Sequence, residues 1–126
     1  MNFHVDGTRP ESDQIFVFGS NLAGVHGAGA AALALKEYGA VWGSGIGHFG
    51  RSYAIPTKDR DINTMRLSAI IPHIRDFVQY TIDNPEKQFF VTRIGCGLAG
   101  YKDFQIAPYF RNAANCDFPL DWKEYL

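Results

Sequence analysis

The stretch RIGCGLAGY, residues 93–101, follows the apolar run Phe89-Phe90-Val91 and spends three of its nine positions on glycine. Glycine loses more freedom on folding than any other residue, so a cluster at a strand's exit needs a cause. Either the chain turns sharply there, or something approaches its backbone too closely for side chains.

Working outward, two more segments repeat the pattern of an apolar strand running into a polar or glycine-rich loop. Ile15-Phe16-Val17-Phe18 ends at Gly19-Ser20-Asn21, and Ser52-Tyr53-Ala54-Ile55 is broken off by Pro56 before Thr57-Lys58-Asp59. Short runs that are apolar throughout predict strands with both faces covered. Between them, Ala28 to Tyr38 is rich in alanine and leucine and stops at Gly39, which predicts a helix. From about Thr64 to Ile82, apolar residues recur at helical spacing, with Pro72 predicting a kink or a start nearer Ser68. Asp103 to Asn112 reads as a third helix and Cys116-Asp117-Phe118 as a last short strand. The first 14 residues read as a polar surface segment or one edge strand. Gly43 to Gly50, with four glycines in eight positions, reads as a mobile loop.

Strands alternating with helices predict a three-layer α/β/α fold with a central mixed sheet. In such sheets ligands collect outside the carboxyl ends of the strands. The loops Gly19–Gly29, Pro56–Asp61 and Gly95–Tyr101 are therefore expected to meet at one edge. The alternative is that these glycines serve only tight turns.

The chain of 126 residues is read as a single domain spanning 1–126, with 46% hydrophobic and 20% charged residues. A net charge of −1 advertises no global attraction to nucleic acid or membrane. A DNA contact would need a local patch, for which Arg51, Lys58, Arg60 and Arg66 are the candidates; scattered surface charge is the other reading. The opening Met-Asn-Phe-His-Val-Asp-Gly has neither the basic nor the apolar region of a signal peptide. No apolar run approaches the roughly 20 residues that span a bilayer. Two cysteines, Cys96 and Cys116, imply neither a disulfide framework nor a metal site. The expectation is a cytoplasmic protein with reduced thiols, no cofactor, no metal and no membrane partner.

Gly27-Ala28-Gly29-Ala30 opens the first helix, and its free N–H groups and dipole favour an anion such as phosphate. No Gly-Lys-Ser/Thr follows, which argues against a triphosphate loop. A second glycine loop facing it suggests a clamp around a diphosphate. Lys58, at a strand's carboxyl end, can reach the cleft, where partial desolvation favours a neutral, nucleophilic amine; the alternative is a solvated lysine paired with Asp59. His26 and His48, each beside glycine, read as ligand contacts or acids, or else as loose surface histidines. Cys96 reads as a reactive thiol or a small buried residue.

Three segments together resemble the macrodomain family, in particular its branch of ADP-ribose glycohydrolases and DNA ADP-ribosyl hydrolase antitoxins. They are HGAGAAALALKEYG (26–39), YAIPTKDR (53–60) and RIGCGLAGYKDFQIAPYF (93–110). The gapped likeness runs from about Ile15 to Phe110 and extends to short macro-like proteins of phages and bacteria. It implies that Gly95, Cys96, Gly97, Leu98, Ala99, Gly100 and Tyr101 close over the diphosphate and distal ribose of ADP-ribose. Gly27, Ala28, Gly29 and Ala30 would cover the other side, with Asn21 near the distal ribose. Gly19, Ser20, His26, Pro56 and Thr57 complete the implied binding set, and Lys58 lies where the branch carries a catalytic lysine. Two positions depart from the pattern. Ala99 stands where some glycohydrolases have an aspartate, and Asp6 is a poorly matched candidate for the adenine contact. The implied function is hydrolysis of ADP-ribose from a DNA base or protein side chain. The alternative is a non-catalytic module that sequesters ADP-ribose or a related signalling nucleotide, as a phage counter-defence protein would.

Overall fold

A computed structural model describes residues 2–126. Six strands form one mixed sheet: β1 (Asn2–His4), β2 (Gln14–Asn21), β3 (Gly47–Phe49), β4 (Ser52–Lys58), β5 (Gln88–Val91) and β6 (Cys116–Pro119). Their order is β1-β6-β5-β2-β4-β3, all neighbours parallel except the antiparallel pair of β3 with β4. Three α-helices pack around the sheet: α1 (Gly29–Glu37), α2 (Leu67–Asp83) and the single turn α3 (Asp103–Ile106).

Side chains alternate between faces along each central strand, and both faces are buried. Phe16, Phe18, Ala54 and Phe90 pack with Ala31 and Ala34 of α1. Ile15, Val17, Tyr53, Ile55, Phe89 and Val91 pack with Ile70, Ile74 and Phe77 of α2 and with Phe110 and Trp122. The expected three layers are therefore present.

Several local expectations are corrected. Gly43–Gly50 is not simply a loop, because its end forms edge strand β3, pairing His48 with Tyr53. The rest is fastened to the loop after β2: Gly43 N–H donates to Gly24 O at 2.9 Å and Ser20 Oγ to Gly45 O at 2.5 Å. A Cβ on Gly45 would sit 1.9 Å from Asn21 O, so close backbone approach accounts for that glycine. Pro56 does not end β4. The strand continues to Lys58, because β3 pairs only with Ser52–Ala54 and demands no N–H from residue 56. Helix α2 starts at Leu67, in keeping with the expected start nearer Ser68, and runs through Pro72, while Thr64 bridges Lys58. The helix expected over Asp103–Asn112 is α3 followed by a 3-10 turn over Ala107–Phe110, with Pro108 near the junction, where its missing N–H breaks the α ladder. The edge strand expected among the first residues is β1, parallel to β6.

A candidate ligand cleft at the carboxyl edge of the sheet

The three loops do converge. A cleft of about 590 Å³ lies across the carboxyl ends of β2, β4 and β5 and is lined from Gly19–Asn21, Gly27–Ala31, Thr57–Lys58 and Gly95–Ala99. That volume falls within the roughly 300–1,000 Å³ of small-molecule sites. The cleft runs from the segment after β1, where Asp6 and Arg9 line it, to Lys58 and Ile62 at the β4 side.

Two backbone irregularities shape it. The pairing of β2 with β4 shifts between Ser20 and Asn21, so Ser20 faces Pro56 but Asn21 faces Lys58. This bulge leaves Thr57 over and breaks the alternation, and Thr57 and Lys58 both reach the cleft although they are consecutive. The second irregularity lies in the glycine loop, whose glycines divide by task. Gly95 has φ of 77°, and a Cβ there would meet Ile106 Cδ1 at 3.2 Å. Its glycine is required by the turn, which Tyr101 N–H closes onto Gly95 O at 2.8 Å. Gly97 has an ordinary φ, and a Cβ there would meet nothing within 4 Å. Neither crowding nor a left-handed backbone accounts for that glycine.

On the opposite wall, α1 begins after Ala28 without any side-chain cap. Its first-turn N–H groups are left for solvent or an anionic ligand. Lys58 is half-buried, and among the described residues no carboxylate lies within 4.0 Å of its amine. The expected alternative partner is occupied elsewhere: Asp59 Oδ1 accepts from the N–H groups of Asp61 and Asn63 at 2.9 and 3.0 Å.

Other expected site residues stand differently. Asn21 lines the cleft, but its amide is spent on the following turn, Nδ2 donating to Val25 O at 2.8 Å and Oδ1 accepting from Val25 N–H at 2.9 Å. Its role is to shape the wall. His26 does not line the cleft and is not a loose surface histidine. It is 1% exposed, with Nε2–H shared between Val41 O and Ser44 O at 3.0 and 3.1 Å. Pro56, Gly100 and Tyr101 also stay out of the lining. Pro56 is buried within β4, Gly100 belongs to the turn, and Tyr101 OH donates to Met65 O, bracing the loop from behind. His48 bonds Tyr80 OH and Gly50 O, away from the cleft. The basic patch divides: Arg51 sits at the opposite end of β4, over the Tyr38 ring, whereas Lys58, Arg60 and Arg66 stay together around the cleft-side hairpin.

The sequence reading missed Arg93, which lines the cleft beside its glycine loop. Arg93 Nε and Nη2 donate to Asp103 Oδ1 and Oδ2 at 3.1 and 2.8 Å, and Nη1 lies 3.6 Å from Asp6 Oδ2. These partners raise its pKa further, chiefly through the bond to Asp103. His4 and Phe90 were missed too; their rings stack at 3.8 Å in the end of the cleft near Asp6. Only the proximity of Arg93 to the glycines signals its place in the sequence. Cys96 is half-buried in the lining, and burial first, then nearby Asp103, pushes its thiol up to about 12. That shift disfavours the thiolate and so speaks for the small wall residue over the reactive thiol.

The fold and cleft define a three-layer α/β/α architecture with an open cleft at the carboxyl edge of a mixed sheet. Compared with protein-family models, curated proteins and solved structures, the chain matches none. Among the described residues no helix is long and apolar enough to cross a membrane, and no cluster of three metal-ligating side chains occurs.

Proposed function

We propose that the cleft binds ADP-ribose and that Lys58 releases it from a modified macromolecule, a DNA base or a protein side chain. One observation carries this reading: the uncapped start of α1, the open backbone at Gly97 and the amine-bearing end of β4 line a single cleft. Backbone N–H groups on facing walls suit a diphosphate, which is compact, anionic and acceptor-only. The length of the cleft suits a ligand with groups at both ends of that diphosphate. The likeness of three segments to the macrodomain glycohydrolases adds the identity of those groups, adenosine and a second ribose.

In the reaction, the neutral Lys58 amine attacks C1 of the distal ribose, and the bond from C1 to the conjugated group breaks. The proton from the alkylated amine goes to the leaving group. Water then cleaves the bond between Lys58 and C1, returning the amine and free ADP-ribose.

A second reading has its own support. Asp6 is the only carboxylate among the described residues lining the cleft, and it stands at the end away from Lys58. With Ala99 in the glycine loop, no acid assists departure at the Lys58 end, and positioned proton transfer is worth about 10²–10⁴-fold. A module that sequesters ADP-ribose or a related signalling nucleotide needs no such group.

Calorimetric titration with ADP-ribose, adenosine and a cyclic analogue, together with release from an ADP-ribosylated oligonucleotide and protein, tests both. Binding with release supports the hydrolase. Binding without release from any conjugate leaves the sequestering module. No binding of ADP-ribose overturns the proposal.

A further inference from the structure

The Lys58 amine and the glycine loop stand on strands that do not pair with each other. In the sheet order, β2 lies between β4, which ends at Lys58, and β5, which leads to the glycine loop. A ligand laid along that loop has its far end placed by β5, whereas the amine is placed by β4. Reacting atoms must stand about 3–3.5 Å apart, and a displacement of about 1 Å can cost roughly 10²-fold in rate. Register between the two walls therefore needs a device of its own.

The segment after Lys58 supplies it. Asp59 N–H donates to Asn63 O at 2.8 Å, and the Asp59 carboxylate holds the N–H groups of Asp61 and Asn63. This tight hairpin turns the chain back, so that Thr64 forms an antiparallel bridge with Lys58 and Met65 N–H donates to Thr57 O at 2.9 Å. Directly opposed residues of an antiparallel pair carry their Cβ atoms on one face, roughly 4.5–5.5 Å apart. Thr64 is thus the cross-strand neighbour of Lys58. Its hydroxyl also donates to Ala99 O, in the glycine loop, at 3.1 Å. Thr64 is exposed and belongs to neither hydrophobic cluster, so packing does not account for it. A second bond, from Tyr101 OH to Met65 O, joins the same two segments further back, where both residues pack against the core. That bond fixes the end of the glycine loop. The bond from Thr64 fixes Ala99, which lines the cleft as Lys58 does.

Resting on the reading of the cleft as an ADP-ribose site, we propose that Thr64 is a positioning residue, whose hydroxyl tie to Ala99 registers the Lys58 amine with the ligand that the glycine loop holds. It touches no reacting atom and acts by fastening one wall of the cleft to the other. The loop keeps its own turn without that tie, because Tyr101 N–H still closes onto Gly95 O and Gly100 N–H onto Gly97 O. Valine at position 64 retains the branched shape that suits a paired residue and loses the donor; serine retains the donor.

The test measures release from an ADP-ribosylated oligonucleotide or protein, whichever the wild type cleaves, with the full chain as wild type, Thr64→Val and Thr64→Ser. Calorimetric titration of ADP-ribose runs beside it. Thr64→Val is expected to lower kcat about tenfold, with KM and the affinity for ADP-ribose within about twofold of wild type. Thr64→Ser should hold kcat within about threefold of wild type, because it keeps the hydroxyl. In protein with isotope-labelled lysine, the Lys58 resonance, assigned with Lys58→Arg, shifts when ADP-ribose is added to wild type. In Thr64→Val that shift should be no more than about half as large. Release by Thr64→Val at the wild-type rate overturns the proposal, as does Thr64→Ser failing to rescue it. Equal losses of affinity and kcat overturn it too, since the tie then builds the binding site instead of placing the amine. Binding without release removes the hydrolase reading and leaves the resonance to decide: equal Lys58 shifts in wild type and Thr64→Val overturn the positioning role, and a shift lost only in Thr64→Val upholds it. Failure of the wild-type chain to bind ADP-ribose overturns the ADP-ribose reading and this role with it.

Discussion

Arg93 and Asp103 are joined by two hydrogen bonds, and Asp103 Oδ1 also accepts from the buried Trp122 Nε1 at 2.8 Å. One carboxylate thereby ties the end of β5, the start of α3 and the carboxyl-terminal segment together behind the cleft. Burial alone would raise the Asp103 pKa, but the bonds from Arg93, Trp122 and Cys96 outweigh it, and the net shift is downward.

A carboxyl whose folded pKa is depressed stabilises above its unfolded pKa and loses that contribution as pH falls through the folded value. Asp103→Asn should therefore cost about 1–3 kcal/mol at pH 7, the range for hydrogen bonds to a charged group. The gap from wild type should narrow as pH drops below about 4, the unfolded aspartate value. Urea unfolding at pH 7 and pH 3 reads both; equal gaps at the two pH values would remove the carboxylate's charge from the account.

Gly95 and Gly97 should respond oppositely to valine. Gly95→Val places a β-branched residue at φ of 77° against Ile106 and is expected to destabilise by at least about 1–3 kcal/mol. Gly97→Val meets no neighbour, so its melting temperature should stay near wild type while affinity for ADP-ribose falls at least about tenfold. Unchanged affinity in a folded Gly97→Val protein would confine the loop's glycines to turn-making.

Lys58→Ala separates chemistry from binding. Under the proposed reading, release from an ADP-ribosylated oligonucleotide or protein should fall roughly 10³-fold or more, as removing a nucleophile does. Affinity for free ADP-ribose should change by no more than about threefold, because an interaction made in the transition state appears in turnover. Release persisting at the wild-type rate would take the reaction away from this amine.

Cys96 should be slow to alkylate. With its thiol pushed up to about 12 by burial, the thiolate fraction at pH 8 is roughly 10³ below that of a free cysteine. Mass spectrometry of iodoacetamide-treated folded and urea-unfolded protein compares the rates. Equal rates would contradict the buried, protonated thiol.

What the sequence by itself determined is local. Phe16, Val17 and Phe18, like Phe89, Phe90 and Val91, are apolar at consecutive positions, which requires cover on both faces and so announces helices above and below a sheet. Alanine-rich 28–38 and the spaced isoleucines of 67–83 announce those helices, and the glycine-rich loops after β2 and β5 announce an edge where backbone is bare. The tertiary structure decided whatever depends on distant partners. Gly45 is glycine because Asn21 O passes close by, and Gly95 and Gly97 differ only in what stands around each. The bulge against β2 is what turns Thr57 and Lys58 into one wall. His26 was legible as a residue beside glycine but not as a buried anchor for the carbonyls of Val41 and Ser44. Periodicity and composition report which surfaces must be hidden or bare. Which groups meet across those surfaces is settled by contacts between segments far apart in the chain, and no local pattern encodes them.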